Sequence, residues 1–372
     1  MDIYLVGGAV RDELLGLKIK ERDWVIVGAT PEDMIDLGYT PVGKDFTVFL
    51  HPKTKEEYAL ARTERKTAPG YTGFTFHAAP DVTLEEDLRR RDLTVNAIAK
   101  STEGELIDPF NGAADIASRT LRHVSEAFVE DPVRILRIAR FMARFAEYDF
   151  TIAETTNQLM RDMVENGEVD ALIPERVWKE AVRGLGENRP LEFFNTLASC
   201  KALARVFPEL GNIDSNTTAQ AMQRAVSATD DVQIRFAILM YHLTELDGLE
   251  SLYQRLRLPK DFFELGRLIS KHFEAFTNVS TLNAEALFAL LEQVDAFRRE
   301  VRFEQFLQAA DILANSDDDQ IQSSHLRQAY QRTAAINAKS LVAQGLKGKE
   351  IGEALRKQRI VAVESLLNDD TS

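Results

Sequence analysis

The sequence has little cysteine, scattered histidines and no long apolar run. Its single cysteine, Cys200, excludes an internal disulfide or a metal site of several thiolates, and we expect a buried small apolar residue there. No stretch approaches the roughly 18 consecutive apolar residues of a membrane span. The amino terminus, MDIYLVGGAVRDE, lacks the basic flank and apolar core of a signal peptide. We therefore expect a cytoplasmic protein with no membrane contact, and nothing in the sequence indicates a protein partner.

Positive charge is in the minority, since 45 Lys and Arg residues face 59 Asp and Glu residues. The formal net charge of -14 argues against a protein that coats nucleic acid without specificity. Arginines nevertheless gather at 89–91 and again at 134, 137, 140 and 144. These clusters could offer an anionic ligand a positive cleft. The alternative is that they pair with neighbouring acids such as Glu85, Glu86 and Asp87.

At 372 residues the chain is long enough for two or more domains. Its first part mixes helical patches with short strand-forming runs, namely IYLVG, WVIVG, FTVFL, EYALAR and LTVNAIA, which predicts an α/β unit around one sheet. From about residue 114 apolar residues recur every three or four positions, and no convincing strand follows. The predicted class is α+β: a small amino-terminal α/β head (1–113) followed by an extended all-α neck (114–185), body (186–270) and tail (271–372).

Two acids stand at the mouth of a predicted strand in ERDWVIVG. Alternate side chains of an extended segment share a face, so Glu21 and Asp23 point the same way. Two carboxylates on one face suit Mg²⁺ and two-metal phosphoryl chemistry. For an isolated acid pair, a solvated turn before a strand is the better interpretation.

A glycine pair shifts that balance towards nucleotide chemistry. Gly7 and Gly8 follow the strand-like IYLV and precede a predicted helix from Val10. Bare backbone N–H groups at a helix amino terminus can approach a phosphate, and Arg11 could add charge. A phosphate cradle beside an acid pair in one short α/β unit is much less often a coincidence than either feature alone.

The motifs together resemble one family. LVGGAVRDELLG with ERDWVIVG resembles the head motif of the class II nucleotidyltransferases, the family of bacterial CCA-adding enzymes and poly(A) polymerases within the polymerase-β superfamily. DLRRRDLTVNAIA (87–99) resembles its ribose motif, EDPVRILRIAR (130–140) its base-recognition motif, and PERVWKE (174–180) a later neck segment. The resemblance is specific over about the first 185 residues and looser over the helical remainder.

The resemblance implies roles for the head residues. Gly8 and Arg11 would hold a triphosphate, while Glu21 and Asp23 would be the catalytic pair that binds Mg²⁺. The family's usual pair is two aspartates, so Glu21 is a departure whose longer arm still offers oxygen ligands. A third acid is expected on a neighbouring strand, and Glu57 is a candidate, although a strand-edge acid without that role is equally compatible.

The ribose motif has a physical logic of its own. Asp92 can accept a hydrogen bond from a 2′-hydroxyl, Arg91 can pair with phosphate, and Asn96 would brace the turn. For this motif alone, the alternative is that Asp92 caps a short helix or pairs with Arg90.

The base-recognition motif opens a predicted helix near Asp131. At 100° per residue, Arg134, Arg137, Arg140 and Arg144 lie within a stripe of about 120° on an otherwise apolar helix. Cations there require answering anions, which structural carboxylates could supply. By the resemblance, Asp131 and Arg134 would act as a protein template that accepts cytosine and adenine and excludes guanine and uracil. Arg137 and Arg140 would complete the nucleotide pocket.

Two further segments bear on specificity and activity. APGYTGFTFHAAP (68–80) resembles the family's flexible loop, which adjusts the pocket from CTP to ATP, although an ordinary surface loop has the same composition. Some bacterial relatives carry a His-Asp phosphohydrolase domain, which needs clustered histidines and an adjacent His-Asp pair. Here leucine follows His242 and the six histidines are scattered, so we expect no such activity.

The function implied by the resemblance is template-independent addition of CCA to tRNA. With Mg²⁺, the 3′-hydroxyl of tRNA would attack the α-phosphate of CTP twice and then of ATP, releasing pyrophosphate. The helical body and tail would grip the tRNA by its shape and phosphates. The alternatives are a poly(A) polymerase of the same family, an enzyme that adds only the C residues or only the final A, and a catalytically silent RNA-binding module.

Overall fold

The computed structural model describes residues 1–43, 48–66, 74–211, 215–314, 317–343 and 345–369. The chain divides into two compact units, Met1–Pro208 and Glu209–Ser372. The predicted head and neck therefore lie within the first unit. The finer division into head, neck, body and tail stays a prediction.

The first unit contains a mixed sheet and two short strand pairs. The described strands are β1 (Asp2–Val6), β2 (Asp23–Val27), β3 (Thr40–Val42), β4 (Val48–Leu50), β5 (Glu57–Leu60), β6 (Arg62–Lys66), β7 (Phe74–Ala78), β8 (Ala99–Ser101), β9 (Leu106–Ile107), β10 (Thr120–Leu121) and β11 (Thr151–Ile152). Seven of them form one sheet in the order β3-β4-β5-β2-β1-β8-β9. The β6–β7 and β10–β11 pairs stand apart from it.

The helices of the first unit follow the strands and then dominate. They are α1 (Gly8–Leu14), α2 (Pro31–Asp36), α3 (Leu84–Arg89), α4 (Gly112–Ala117), α5 (Val133–Phe145), α6 (Glu154–Glu165), α7 (Pro174–Leu185), α8 (Leu191–Ser199) and α9 (Leu203–Val206). Short 3₁₀-helices span Thr94–Asn96, Glu126–Glu130, Ala146–Tyr148 and Glu168–Ala171. Thr30 and Thr83 begin α2 and α3 with reciprocal capping boxes, each closed by an acid three residues later.

The second unit is helical over the residues described. Its helices are α10 (Asn216–Ala228), α11 (Val232–Leu243), α12 (Leu246–Leu256), α13 (Lys260–Thr277), α14 (Ala284–Gln293), α15 (Glu300–Ala314), α16 (Asp317–Ala334), α17 (Lys339–Ala343) and α18 (Lys349–Asp369), with a 3₁₀-helix at Val279–Thr281. Within the described ranges, no helix combines the length and apolar character needed to cross a bilayer.

Alternation along β2 sets the two faces of the sheet. Val25 packs in a cluster with Val6 and with Leu88 of α3, whereas Ile26 packs in a second cluster with Met34 of α2. Because residues two apart share a face, Asp23 lies on the Val25 side, towards α3. The strand therefore carries its acid towards the helix that leads into the ribose motif.

Two strand predictions were wrong. LTVNAIA is not a strand over its length, because Thr94–Asn96 forms a 3₁₀-helix and only Ala99 enters β8. The cause is local: Asp92 Oδ1 accepts hydrogen bonds from the Leu93 backbone N–H and from Asn96 Nδ2, which favours a turn over an extended backbone. The two-residue strands β10 and β11 also lie in the part expected to be all-helical, where they pair in parallel.

Candidate active site

The proposed metal-binding acids lie at the start of β2. Asp23 is the first residue of the strand and Glu21 precedes it by two positions, and both are exposed. Although Asp23 reaches solvent, partial burial raises the pKa of its carboxyl, with the nearby cation Arg91 opposing this and the like charge of Glu21 reinforcing it. A carboxylate crowded by another carboxylate is an environment that a bound cation relieves.

Glu57 lies directly beside this pair. It is the first residue of β5 and the register partner of Asp23 in the parallel pairing of β2 with β5. Register partners of adjacent strands project to the same face, so Glu57 adds a carboxylate next to Asp23. In the part of the chain that the structure describes, no group of three or more His, Cys, Asp and Glu residues could hold a metal by itself.

The donor set fits magnesium nevertheless. Mg²⁺ takes oxygen ligands and is usually bound through one or two carboxylates, with waters and substrate phosphates completing its coordination. An open pair of acids at the start of a strand matches that requirement better than a closed protein cage.

The glycine turn between β1 and α1 makes room for an arginine. Gly7 has a φ of 69°, in the left-handed region, and a Cβ at this position would lie 3.0 Å from Arg91 Nη1. Its backbone N–H donates to the Ile98 carbonyl oxygen at 3.2 Å. Arg91 in turn donates from Nη2 to Asp87 Oδ2 at 3.0 Å. A side chain at position 7 would therefore displace the arginine that the ribose motif supplies.

Arg11 is part of a buried polar network. Its side chain donates to Asp12 Oδ1 from Nε at 2.9 Å and from Nη2 at 2.7 Å, and to Asn96 Oδ1 from Nη1. Only 3% of the residue is exposed, and this burial lowers the pKa of Arg11 despite the neighbouring Asp12 carboxylate. A Cβ on Gly8 would lie 3.4 Å from Arg11 Nη2, so the guanidinium adjoins the glycine turn.

Asp92 is a buried, ionised acceptor. Its Oδ1 accepts from the Leu93 N–H at 2.8 Å and from Asn96 Nδ2 at 3.0 Å, and its Oδ2 accepts from Arg137 Nε at 2.6 Å. Burial would raise the pKa of Asp92, but the charge of Arg137, these hydrogen bonds and the charge of Arg134 outweigh it and hold the pKa well below its usual range.

The arginines of the 89–91 cluster pair with nearby acids, as one alternative expected. Arg89 contacts Glu85 at 2.7 Å, Arg90 contacts Asp87 at 2.7 Å, and Arg91 contacts Asp87 at 3.0 Å. Burial opposes ionisation of Asp87, yet Arg90 and Arg91 hold its pKa below the ordinary value. Asp87 is thus the anchor that holds Arg91 beside the glycine turn.

Each arginine of the α5 stripe meets a protein oxygen. These pairs include Arg134 with the carbonyl oxygens of Ala127 and Arg90, Arg137 with Asp92, Arg140 with Glu180 at 2.7 Å, and Arg144 with Asp12 at 2.8 Å. Arg137 and Arg140 each use Nε in these bonds. A guanidinium has five N–H donors, so, as far as the described residues show, the Nη groups of Arg137 and Arg140 can donate to a ligand.

Helix α7 supplies partners that the sequence did not reveal. Arg176 donates from Nη1 to Asp131 Oδ1 at 3.0 Å and from Nη2 to Asp131 Oδ2 at 2.7 Å, and Glu180 holds Arg140. PERVWKE places Arg176 and Glu180 four residues apart, hence on one helix face. This shared face is the sequence signal that could have identified them as site partners. Asp12, which joins Arg11 to Arg144, was also missed.

Part of the predicted specificity loop lies outside the described residues, namely 68–73. The remainder of the segment 68–80 includes β7, which pairs antiparallel with β6 in register Arg62 with Ala78. The loop's role in changing specificity stays a prediction.

Comparison with known proteins identifies the family. Residues 3–122 match the family model described as the Poly A polymerase head domain, and residues 149–213 match one described as a probable RNA and SrmB-binding site of polymerase A. Over 98% of both chains, the protein is 50% identical to the Multifunctional CCA protein of Thioalkalivibrio sulfidiphilus. It is 46% identical to the CCA-adding enzyme of Coxiella burnetii (strain RSA 493), over 99% of this chain and 96% of the relative.

The chain belongs to the CCA-adding enzyme family. Membership confirms the family predicted from the motifs, and it makes the chain a tRNA nucleotidyltransferase. Solved structures of CCA-adding enzymes confirm the α+β fold. An apo form is similar with a TM-score of 0.74 at 24% identity, covering 98% of this chain and 88% of that one. A complex with ATP is similar with a TM-score of 0.73 at 25% identity, covering 97% and 86%.

Proposed function

We propose that the chain adds CCA to the 3′ end of tRNA from CTP and ATP, with Mg²⁺ held by Glu21 and Asp23, and that it acts in the cytoplasm. Family membership supports the reaction, since relatives that match nearly the full length of this chain are named for CCA addition. One observation carries the residue assignment. Asp23 begins β2 beside Glu57, Glu21 lies just before it, and Arg91 is near both Asp23 and the glycine turn.

The metal belongs to the acid edge of the sheet. Enzymes of the polymerase type use a divalent cation, and carboxylate oxygens are its preferred ligands here. A bound divalent cation would supply activation of the attacking hydroxyl and neutralisation of the pyrophosphate. The protein's own contribution is to hold Glu21 and Asp23 on a rigid strand end. Glu57 adds a third negative charge on the same face.

The triphosphate and ribose contacts follow from the glycine turn. The turn brings two cations close to the chain, since the Arg91 guanidinium lies against Gly7 and the Arg11 guanidinium lies against Gly8. Asp92 is held ionised by Arg137, so its carboxylate can accept a hydrogen bond from a ribose 2′-hydroxyl. A deoxyribonucleotide lacks that donor, which provides selection for ribonucleotides.

The base is selected by Asp131 and Arg134. A carboxylate accepts from the exocyclic amine that cytosine and adenine share, and a guanidinium donates to the adjacent ring acceptor. Guanine and uracil present a carbonyl oxygen where the amine should be, so two hydrogen-bond acceptors would face each other. Arg176 grips Asp131 through two hydrogen bonds and so orients the selecting carboxylate. Arg137 and Arg140 complete the pocket with their Nη donors.

A metal-dependent extension assay tests the assignment. The double variant Glu21→Ala with Asp23→Ala should lose C addition to a tRNA that ends before CCA, by at least about a hundredfold at any Mg²⁺ concentration. The matched control is Glu32→Ala, which removes an exposed acid from α2 of the same unit and should leave the rate unchanged. Activity of the double variant near the wild-type rate would overturn the assignment.

A poly(A) polymerase is the second candidate, favoured by the description of the matching head model. The two functions differ in product. Addition of CCA stops after three nucleotides, whereas a poly(A) polymerase extends RNA with ATP alone into a ladder.

A further inference from the structure

Two phenyl rings on α5 adjoin the proposed phosphate-binding arginines. Phe141 and Phe145 are 4% and 0% exposed and lie one helical turn apart. Their rings are nearly parallel, with an angle of 8° between planes and 6.0 Å between centroids. The guanidinium carbon of Arg11, from α1, lies 5.3 Å from the Phe141 centroid and 5.0 Å from the Phe145 centroid.

Phe141 also contacts arginines of its own helix. The guanidinium carbon of Arg140 lies 4.4 Å from its centroid and that of Arg137 lies 5.9 Å away. A cation within about 6 Å of a ring face is attracted by the ring's quadrupole. One ring therefore faces cations from both the glycine-turn helix and the base-recognition helix.

The carboxylate partners do not by themselves fix the orientation of the Arg137 and Arg140 guanidinium groups. Among the described residues, Arg137 and Arg140 each hydrogen-bond one acid through Nε, Asp92 and Glu180 respectively. One such bond fixes a position but leaves the plane of the guanidinium to be set by its surroundings. A ring face within contact distance sets that plane, and with it the direction of the Nη donors. The ring also lowers the cost of crowding cations without adding a carboxylate that would repel a triphosphate.

We propose that Phe141 is a positioning residue whose ring face orients Arg137 and Arg140 towards the nucleotide. The inference rests on the proposed function, in which those arginines contact CTP and ATP. Because the same arginines complete the pocket for CTP and for ATP, weakening the ring face weakens the binding of both nucleotides equally. The order of C and A addition is unchanged, because the base is selected by Asp131 and Arg134.

Graded fluorination of the ring tests this electrostatic role in the full-length chain. Replacing Phe141 by mono-, tri- and pentafluorophenylalanine withdraws charge from the ring face in steps while nearly preserving its shape. The dissociation constants of CTP and ATP should rise with each step, reaching about fivefold or more for the pentafluoro ring. KM should rise with them while kcat changes little. A merely structural ring would not produce that graded response.

Phe193 provides the matched control. It is fully buried in α8 of the same unit, and its ring contacts include Phe194 and Phe207. The same fluorinated series there should leave both dissociation constants unchanged, with melting temperatures recorded for every protein. A flat response at position 141, or an equal response at 193, would overturn the proposal.

The variant Arg140→Gln distinguishes a failure of the Phe141 proposal from a failure of the proposed function on which it rests. If Arg140→Gln weakens CTP binding while fluorination at 141 has no effect, the positioning role of Phe141 is wrong and the arginine assignment stands. If Arg140→Gln binds CTP as tightly as the wild type, the assignment of that arginine to the nucleotide pocket is wrong.

Discussion

Asp23 and Glu57 are register partners across the parallel pairing of β2 with β5. Strand pairing therefore brings together two carboxylates that are far apart in the sequence and sets them on one face of the sheet. We propose on this basis that Glu57 is the third acid of the site, a role that the sequence left open.

Replacing Glu57 tests that role. Glu57→Gln keeps the side chain's size and removes its charge, so we expect the rate of single C addition to fall about 10- to 100-fold with little change in stability. The matched control is Glu56→Gln, since Glu56 accepts from the Trp24 indole N–H rather than standing opposite Asp23. Equal rates for both variants would mean that Glu57 is an ordinary strand-edge acid.

The ribose contact can be tested at Asp92. In Asp92→Asn, the charge opposite Arg137 is lost, so we expect a stability decrease of about 1.5–3 kcal/mol and a smaller preference for CTP over dCTP. Denaturant unfolding and single-addition kinetics measure the two effects. Asp149→Asn is the control, because Asp149 is exposed and has a left-handed backbone that asparagine tolerates. An unchanged CTP preference in Asp92→Asn would contradict the assignment.

Acid should destabilise the folded chain partly through Asp92. Its pKa is lower in the folded state than the ordinary value of 3.8, so the unfolded chain binds this proton at a higher pH. The stability that results is present above about pH 3.8 and is lost as the pH falls towards the folded-state pKa. The free energy of unfolding, measured downwards from pH 6, should decline less steeply in Asp92→Asn than in the wild type. A parallel decline would contradict the linkage.

Arg176 should govern base selection through Asp131. Removing it in Arg176→Ala frees the selecting carboxylate from its two hydrogen bonds, so KM for CTP and ATP should rise and misincorporation of GTP or UTP should increase by about tenfold or more. Arg183→Ala, an exposed arginine on the same helix, serves as the control. If both variants retain wild-type fidelity, Asp131 does not need this partner.

We predict that no larger residue can replace Gly112 without disturbing the ribose motif that packs against it. A Cβ there would lie 2.2 Å from the Thr94 carbonyl oxygen, so Gly112→Ala must displace the segment that follows Asp92. We expect a loss of about 1–3 kcal/mol in the free energy of unfolding and weaker CTP binding. In contrast, Gly352→Ala meets nothing within 4 Å inside α18 and should stabilise the chain by about 0.5–1 kcal/mol. Denaturant unfolding of both variants measures whether the free energy of unfolding falls in Gly112→Ala and rises in Gly352→Ala.

Local patterns predicted much of the fold and the elements that carry the proposed site residues. The strand of Asp23, the helix after the glycine turn and the arginine stripe of α5 all follow from short-range period and residue type. The failure at LTVNAIA has a local cause as well, because Asp92 and Asn96 bond within their own turn. A pattern of alternating apolar residues does not reveal side-chain hydrogen bonds of this kind.

The partners of the site arginines needed the tertiary structure. Asp131 meets Arg176 across 45 positions, Arg140 meets Glu180 across 40, and Arg144 meets Asp12 across 132. Such pairs depend on which helices pack together, and the sequence period gives only the face that each helix presents.

Extension of a tRNA transcript that ends before CCA tests whether the chain adds CCA with the acids Glu21 and Asp23. The reaction contains Mg²⁺ and labelled CTP, ATP, GTP or UTP, offered singly and together, and the products are resolved to one nucleotide. We predict two C residues and then one A, with GTP and UTP refused, and no extension by the double variant Glu21→Ala with Asp23→Ala. A long ladder of A residues, or undiminished CCA addition by that double variant, would contradict the account.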